Sequence, residues 1–125
     1  MSKTLFDLSG KVALVTGTSR GLGQYFARAL ALSGADIAMT SRNKQHLSAF
    51  TDEIKALGRR TFAIDLDVRD YSSIQNAIAV IDAYFGHIDI LVNNAGCNIR
   101  KPALDVTWDD WNTVLDTNLR GSFFV

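Results

Sequence analysis

Three glycines, Gly17, Gly21 and Gly23, lie between a short apolar run and a stretch with helical spacing. The apolar run is Val12–Val15, and continuous runs of this length are typical of strands buried on both faces of a parallel sheet. A helix that starts at a glycine turn offers free N–H groups and a partial positive charge to a phosphate. We expect Gly17 to form a tight turn with positive φ, Gly21 to let the backbone approach a diphosphate, and Gly23 to allow close packing of the helix.

The spacing of these glycines is G-x-x-x-G-x-G, which differs from the G-x-G-x-x-G of many dinucleotide-binding domains. It also argues against a P-loop, because Gln24 rather than a lysine follows Gly23. A chance cluster of glycines is the alternative. The preceding strand pattern and the following helix pattern make that alternative weaker.

Apolar runs and helical stripes alternate along the rest of the chain. Further strands are predicted at Ile37–Met39, Phe62–Ile64 and Ile88–Val92. The predicted helical stripes are Leu22, Phe26, Ala29, Leu30 and Ser33; Leu47, Phe50, Ile54 and Leu57; and Ile74, Ala77, Ile78, Ile81 and Phe85.

Capping residues support these helices. Gly34 and Gly58 are placed to end the first two, Asp70 to begin the third, and Thr107–Asp110 has the spacing of a capping box that opens a fourth. The alternation predicts an α/β fold, a Rossmann-type doubly wound parallel sheet of which only the first four strands and their helices are present. We therefore expect residues 1–125 to form a single, truncated dinucleotide-binding domain.

The predicted fourth strand, Ile88–Val92, has no predicted neighbour on its far side. An open apolar edge promotes association between chains. We expect the 125-residue chain to be poorly stable or to associate.

Composition excludes several classes of protein. The 13 basic residues balance 13 acidic ones and form no basic patch, which argues against nucleic-acid binding. No apolar run reaches the length of a membrane helix. Cys97 is the single cysteine and no export signal is visible, so a cytoplasmic location is expected.

Four motifs resemble those of the short-chain dehydrogenase/reductase family. Its T-G-x-x-x-G-x-G is similar to Thr16–Gly23, its N-N-A-G to Asn93–Gly96, its Asp-Val after the third strand to Asp67–Val68, and its N-L-x-G to Asn118–Gly121. The motifs lie in the family's order and cover nearly the whole chain. The resemblance implies an oxidoreductase that transfers hydride between a nicotinamide cofactor and a small alcohol or ketone.

The resemblance also implies roles for individual residues. Asn93 would brace the strands, Asp67 would contact adenine, and Asn118 would be catalytic by holding a water in a proton relay. Plain alternatives are a simple turn at Asn93–Gly96, which suits left-handed backbone, and an exposed mid-helix asparagine at Asn118. The implied cofactor-binding residues are Gly17, Ser19, Arg20, Gly21, Leu22, Gly23, Ser41, Arg42, Asp67, Val68, Asn94, Ala95 and Gly96.

Charge at the end of the second strand predicts which cofactor is used. An enzyme that uses NAD usually carries an acidic residue there, which binds the ribose 2′-hydroxyl. This chain has Ser41 and Arg42 instead, and Arg20 can face the same place. Because arginine suits a 2′-phosphate, NADP(H) is predicted. NAD bound through Ser41, with both arginines in solvent, is the alternative.

Other candidates are interpreted as structural. Asp65 and Asp67 have no histidine or third carboxylate nearby in the pattern, so no metal site is predicted and Asp65 is expected to be structural. Trp108 and Trp111 are expected to pack within the fourth helix. Arg100 and Lys101 form a solvated pair or, as an alternative, meet an anionic substrate.

Two further features concern the substrate and the assembly. The stretch 98–102 looks like sugar-acid members of the family, of gluconate type. By the same resemblance, the full-length protein would be a homo-tetramer whose interface uses the helix through Trp111 and Leu115.

The family's catalytic serine and Tyr-x-x-x-Lys motif are not found in this chain. Its three tyrosines are followed four residues later by other types: Tyr25 by Ala29, Tyr71 by Gln75 and Tyr84 by Ile88. We expect the 125 residues to bind part of a cofactor without turnover. A non-catalytic nucleotide-binding fragment is the alternative function, and a Rossmann-like methyltransferase is disfavoured because the paired asparagines have no role there.

Overall fold

A computed structural model describes residues 5–125. It contains one parallel sheet of four strands in the order β3-β2-β1-β4. The strands are β1 (Val12–Val15), β2 (Asp36–Ser41), β3 (Thr61–Asp65) and β4 (Ile90–Val92). This order and the helices between the strands confirm the predicted Rossmann-type α/β fold.

Four main helices flank the sheet, and they are α1 (Leu22–Leu32), α2 (Ser48–Ala56), α3 (Tyr71–Phe85) and α4 (Trp108–Leu115). Helix α4 runs on through a π-helical turn, Asp116–Gly121, into a short helix α5, Ser122–Phe124. Short 3₁₀ turns occur at Lys44–Leu47 and Ala103–Asp105. Between residues 5 and 125, no helix has the length and apolar character needed to cross a membrane.

The sheet is covered on both faces, as the continuous apolar runs indicate. Val12 and Leu14 of β1 face a cluster with α3, whereas Ala13 and Val15 face a cluster with α1 and α2. All four residues are at most 1% exposed. Strand β1 is therefore the centre of both apolar layers.

The predicted stripes of α2 and α3 are largely confirmed, but that of α1 is wrong. Gly23, Ala27 and Ala31 form the buried face of α1, while Leu22 is 64% and Phe26 40% exposed. The reason is steric, because only small side chains allow α1 to approach the loop and the strand beneath it this closely.

The predicted caps form. The Asp70 carboxylate accepts hydrogen bonds from the N–H groups of Ser72 (2.9 Å) and Ser73 (3.3 Å) at the start of α3. Thr107 and Asp110 form the reciprocal bonds of a capping box at the start of α4, each 3.0 Å long.

The expected packing of the two tryptophans is wrong. Trp108 is 82% and Trp111 61% exposed, and α4 contains no buried residue. Leu115 is also exposed, at 38%. Helix α4 therefore presents its large apolar side chains outward.

Strand β4 is shorter than predicted and lies at one edge of the sheet. Within residues 5–125, it pairs with β1 alone. Leu91 in its centre is 44% exposed.

The exposed edge strand β4 predicts that chains associate with one another, and that a charged side chain on this strand reduces the association. Leu91→Lys is expected to lower concentration-dependent association, because a lysine on an open edge opposes strand pairing between chains. Light scattering after size-exclusion chromatography over a concentration series measures this. Leu57→Lys, at a similarly exposed leucine (39%) after α2, is the control and should leave association unchanged. Equal behaviour of the two variants contradicts the prediction.

Candidate functional site

The glycine loop lies at the carboxyl end of β1, where it leads into α1. Gly21 is the N-cap of α1 with φ of 62°, and no side chain of the described chain caps this helix. Hydrogen bonding to the helix begins with Gln24, whose N–H donates to the Gly21 carbonyl (3.1 Å). A Cβ built on Gly21 meets no atom within 4 Å. The helix end is therefore open and suited to an anion.

The other two glycines are required by close contacts. Gly17 has φ of 68°, as predicted, and a Cβ there would lie 2.9 Å from the Ala95 Cα. A Cβ at Gly23 would overlap the Gly17 carbonyl oxygen and lie 2.7 Å from Nδ2 of Asn94. Gly23 thus allows the predicted close packing of α1, and the segment on which the helix packs is the glycine loop itself.

A set of hydrogen bonds, here called the switch-point strap, joins the ends of β1 and β4. The Asn94 side chain donates from Nδ2 to the carbonyls of Thr16 (3.1 Å) and Gly17 (3.0 Å). The Thr16 hydroxyl, in a residue only 1% exposed, accepts from the N–H groups of Asn94 (3.0 Å) and Ala95 (2.9 Å). The strap fixes the loop after β4 beneath the glycine loop.

Two details of the Asn93–Gly96 turn differ from expectation. Asn93 donates from its side chain to the Ser122 carbonyl (3.1 Å), so the bracing of the strand ends comes from Asn94 instead. No residue of this turn has a positive φ, which excludes the left-handed backbone.

The end of β2 carries positive charge. Arg20 and Arg42 are exposed, and within the described residues neither forms an ion pair or a hydrogen bond with a carboxylate. The Ser41 hydroxyl is already engaged, since it donates to the Asn43 carbonyl (3.1 Å) and accepts from the Asn43 N–H (3.2 Å). The arginines therefore remain available to an anion, whereas Ser41 is committed to its turn.

Asp65 at the end of β3 and Asp67 in the loop after it both accept hydrogen bonds from other residues. Asp65 accepts from the Lys44 N–H (2.7 Å), which confirms its structural role. Asp67 is bound by the backbone and guanidinium of Arg69, and this contact, with a smaller contribution from Arg42, lowers the pKa of Asp67. Among residues 5–125, no group of three or more metal-ligating side chains is assembled.

Asn118 lies on the π-helical turn and grips the loop after β4. Its Oδ1 accepts from the Cys97 N–H (2.9 Å) and its Nδ2 donates to the Cys97 carbonyl (2.8 Å). On the same turn, a Cβ at Gly121 would lie 2.7 Å from the Val68 carbonyl oxygen. The turn therefore contacts the loops after β3 and β4 together, and π-helical turns of this kind are frequent at functional sites.

The structure gathers the four predicted segments at one edge of the sheet, where ligands of open α/β sheets bind. The ammonium of Lys101 pairs with the Asp110 carboxylate at the start of α4 (2.7 Å). That contact first, and the Thr107 N–H second, lower the pKa of Asp110 to about 2.

Sequence reasoning missed the side-chain roles of Thr16 and Asn94 in the strap and that of Thr18. The Thr18 hydroxyl and N–H both donate to the Thr40 carbonyl (3.0 and 2.9 Å), which ties the loop to β2. The one available signal was the pair of threonines at the end of a buried strand, where a hydroxyl must find a partner.

Comparisons with known proteins agree on one family. A model of the short chain dehydrogenase family matches residues 11–125. A gluconate 5-dehydrogenase of Gluconobacter oxydans is 39% identical over 97% of this chain and 47% of its own length. A 2-dehydro-3-deoxy-D-gluconate 5-dehydrogenase of Escherichia coli is 41% identical over 100% of this chain and 49% of its own. The chain thus spans about half the length of these curated relatives.

Solved structures are similar over the same half. A short-chain type dehydrogenase/reductase from Mycobacterium marinum superposes with a TM-score of 0.93 at 37% identity, covering 96% of this chain and 47% of that one. A short chain dehydrogenase from Burkholderia cenocepacia in complex with NADP superposes with a TM-score of 0.87 at 43% identity. The match covers 92% of this chain and 47% of that one.

The switch-point strap predicts that removing one hydroxyl group markedly lowers the stability of the fold. Thr16→Val is expected to lower the free energy of unfolding by about 2 kcal/mol, since the buried N–H groups of Asn94 and Ala95 lose their acceptor. Urea unfolding followed by circular dichroism measures it.

Thr117→Val is the control for that experiment. The Thr117 hydroxyl donates to the Thr113 carbonyl (2.7 Å), which also accepts the Asp116 N–H, so the change should stay within about 0.5 kcal/mol. A Thr16 variant as stable as this control would show that the strap contributes little.

Proposed function

The chain belongs to the short-chain dehydrogenase family, and we propose that it forms the cofactor-binding half of an oxidoreductase that prefers NADP(H). The single observation that carries this proposal is the uncapped N-terminus of α1 under an open glycine loop. Its N–H groups and dipole fit the diphosphate of a dinucleotide. A bound nicotinamide cofactor would supply the hydride chemistry, which the protein's residues would only orient.

We assign the cofactor's parts to the loops that the structure brings together. Gly17, Ser19, Gly21 and Leu22 would surround the diphosphate above α1. Asp67 and Val68 would contact the adenine. The backbone of Asn94, Ala95 and Gly96 would line the ribose on the nicotinamide side. The switch-point strap supports this arrangement, because it holds the last of these loops against the first.

The choice of NADP(H) rests on Arg20 and Arg42. Both are exposed, neither forms an ion pair in the described part of the chain, and no acidic side chain ends β2. A 2′-phosphate placed there would gain charge-assisted hydrogen bonds. The similar Burkholderia cenocepacia enzyme was solved in complex with NADP, which agrees with this choice.

The substrate that we propose for the full-length protein is a sugar acid of gluconate type. Two relatives of about 40% identity act on gluconate or a dehydro-deoxy-gluconate according to their names. In this chain Arg100 is exposed and suited to a carboxylate, whereas Lys101 is held by Asp110. We also propose that the protein is a cytoplasmic homo-tetramer, with the exposed Trp111 and Leu115 of α4 in the interface.

A nucleotide-binding fragment without catalysis is the second candidate for these 125 residues. The observation that favours it is the sequence itself, in which no tyrosine is followed by a lysine four residues later. A general acid contributes on the order of 10²–10⁴ to the rate, so its absence is measurable. Asn118 would then serve the loop after β4 rather than a proton relay.

Arg42→Ala tests the cofactor assignment. The affinity for NADPH is expected to fall about tenfold, because a charge-assisted contact to the 2′-phosphate is lost, while the affinity for NADH stays the same. Fluorescence titration of each reduced nucleotide measures this. Lys55→Ala, which removes an exposed positive charge at the end of α2, should change neither affinity. Equal affinities for both nucleotides that Arg42→Ala leaves intact would refute the assignment.

A second experiment separates binding from catalysis. We expect the 125-residue chain to bind NADPH but not to oxidise it when a keto acid of gluconate type is added. Absorbance of the reduced nicotinamide follows the reaction, with a full-length gluconate dehydrogenase as the positive control. Turnover at a rate comparable to that enzyme would overturn the expectation.

A further inference from the structure

A cleft of about 470 Å³ lies between the start of α3 and the stretch that runs from the π-helical turn into α5. A volume of this size is in the range of small-molecule sites. Its floor, Val68 and Ile74, belongs to the apolar layer that contains α3, whereas α1 packs in the layer on the opposite face of the sheet. The cleft is therefore separate from the proposed diphosphate site at the start of α1.

Two contacts of the helical stretch bound the cleft. At Gly121 the backbone lies against the loop after β3, since a Cβ there would be 2.7 Å from the Val68 carbonyl oxygen. Farther along, the Phe124 ring meets the Tyr71 ring edge-on, with centroids 6.0 Å apart and planes at 83°. The side chains of Val68, Tyr71 and Phe124 all line the cleft.

The floor and one wall of the cleft are apolar. Val68 and Ile74 are 8% and 5% exposed and have no polar side-chain atoms. The rings of Tyr71 and Phe124 remain 61% and 51% exposed in spite of their mutual contact. A further ring placed against such a pair gains an aromatic contact and removes apolar surface from water. This lining therefore favours a ligand with an aromatic ring.

The remaining lining residues are two arginines with unused hydrogen-bond donors. Arg69 donates from Nε and Nη2 to the Asp67 carboxylate, and Arg120 donates from Nη2 to the Arg69 carbonyl and pairs with Asp116, at 3.3 Å each. Within residues 5–125, Nη1 of Arg69 and both Nε and Nη1 of Arg120 form no hydrogen bond. A guanidinium has five N–H donors, so each can bind a further acceptor.

The two acids paired with these arginines restrict the charge of the ligand. Asp67 pairs with Arg69 and Asp116 with Arg120, so two negative charges accompany the two positive ones. A phosphate dianion would be repelled by both carboxylates. A carboxylate carries a single charge and matches the planar donor geometry of a guanidinium. The charges therefore favour a monoanion.

We propose that this cleft is a second ligand site, which binds an aromatic carboxylate. The ring lies against Tyr71 and Phe124, and the carboxylate accepts hydrogen bonds from the unused donors of Arg120 and Arg69. The site is additional to the proposed cofactor function and does not depend on it.

The test uses three probes: benzoate, the neutral benzamide of the same shape, and acetate, which has the carboxylate without the ring. Titration of the 125-residue chain followed by amide NMR gives both the affinity and the location. We expect a dissociation constant on the order of 1 mM for benzoate, as a small ligand of this size allows. Benzamide should bind about tenfold more weakly, and acetate should not reach saturation. The largest amide shifts should be those of Val68, Arg69 and Ile74.

Variants of the arginine separate charge from shape. Arg120→Gln should weaken benzoate about tenfold and leave benzamide unchanged, because a charged contact alone is lost. Arg120→Lys, which keeps the charge without the planar fork, should weaken benzoate about threefold. Lys55→Gln removes an exposed charge on α2 and should change neither affinity.

A variant of the aromatic wall tests the other half of the site. Tyr71→Ala should weaken benzoate and benzamide alike, by about fivefold, since both lose the same ring contact. The exposed position of Tyr71 makes this change compatible with the fold, so the test stands even where an Arg120 variant fails to fold. Thermal melts of each variant confirm the folded state.

The outcomes also distinguish this site from the proposed cofactor site. No binding of benzoate, or binding that folded Arg120→Gln and Tyr71→Ala variants leave unchanged, would overturn the inference. Amide shifts centred on Gly21 and Gly23, or displacement of benzoate by NADPH, would overturn it as well, because the anion would then lie in the cofactor site. A chain that binds benzoate as expected but does not bind NADPH would overturn the proposed function alone.

Discussion

The hydrogen bonds between Thr16 and Asn94 are the constraint on which the site depends. The chain reverses its direction of sheet growth at β1, because β2 and β3 extend the sheet on one side and β4 on the other. The two strand ends that border this reversal are 78 residues apart in sequence and carry polar loops. Without hydrogen-bond partners, burying their N–H and carbonyl groups at the sheet end would cost free energy of desolvation. The strap satisfies these groups and, by the same bonds, places the loop after β4 beneath the glycine turn.

The electrostatic character of the edge follows from how its acids are used. Asp65 is bound to the Lys44 N–H, and Asp67 to Arg69, so neither carboxylate faces the open glycine turn unpaired. Within residues 5–125, neither Arg20 nor Arg42 forms an ion pair. Added to the positive end of α1, this gives an edge that attracts anions with little opposing charge.

Features set by local sequence were predictable, and those set by distant side chains were not. The strands, the Asp70 cap and the Thr107 capping box follow from runs and spacings within a few residues. The face that α1 buries was mispredicted, because Leu22 and its stripe are more apolar than Gly23 and its neighbours but too large for the contact with the glycine loop. The bracing role was assigned to Asn93 instead of Asn94, since two adjacent asparagines after a strand cannot be told apart until their hydrogen-bond partners are known.

The π-helical turn explains how one helix serves two loops. In a regular α-helix, residues three apart point in nearly the same direction. The turn at Asp116–Gly121 carries an enlarged repeat, so Asn118 reaches the backbone of Cys97 while Gly121 packs on Val68 of the other loop. A π-helical turn is less favourable than an α-helical one and persists only where its contacts compensate. Both of its contacts are to loops that border the proposed cofactor, one at the base and one at the nicotinamide, so a shift of this turn would move the two ends of the pocket together.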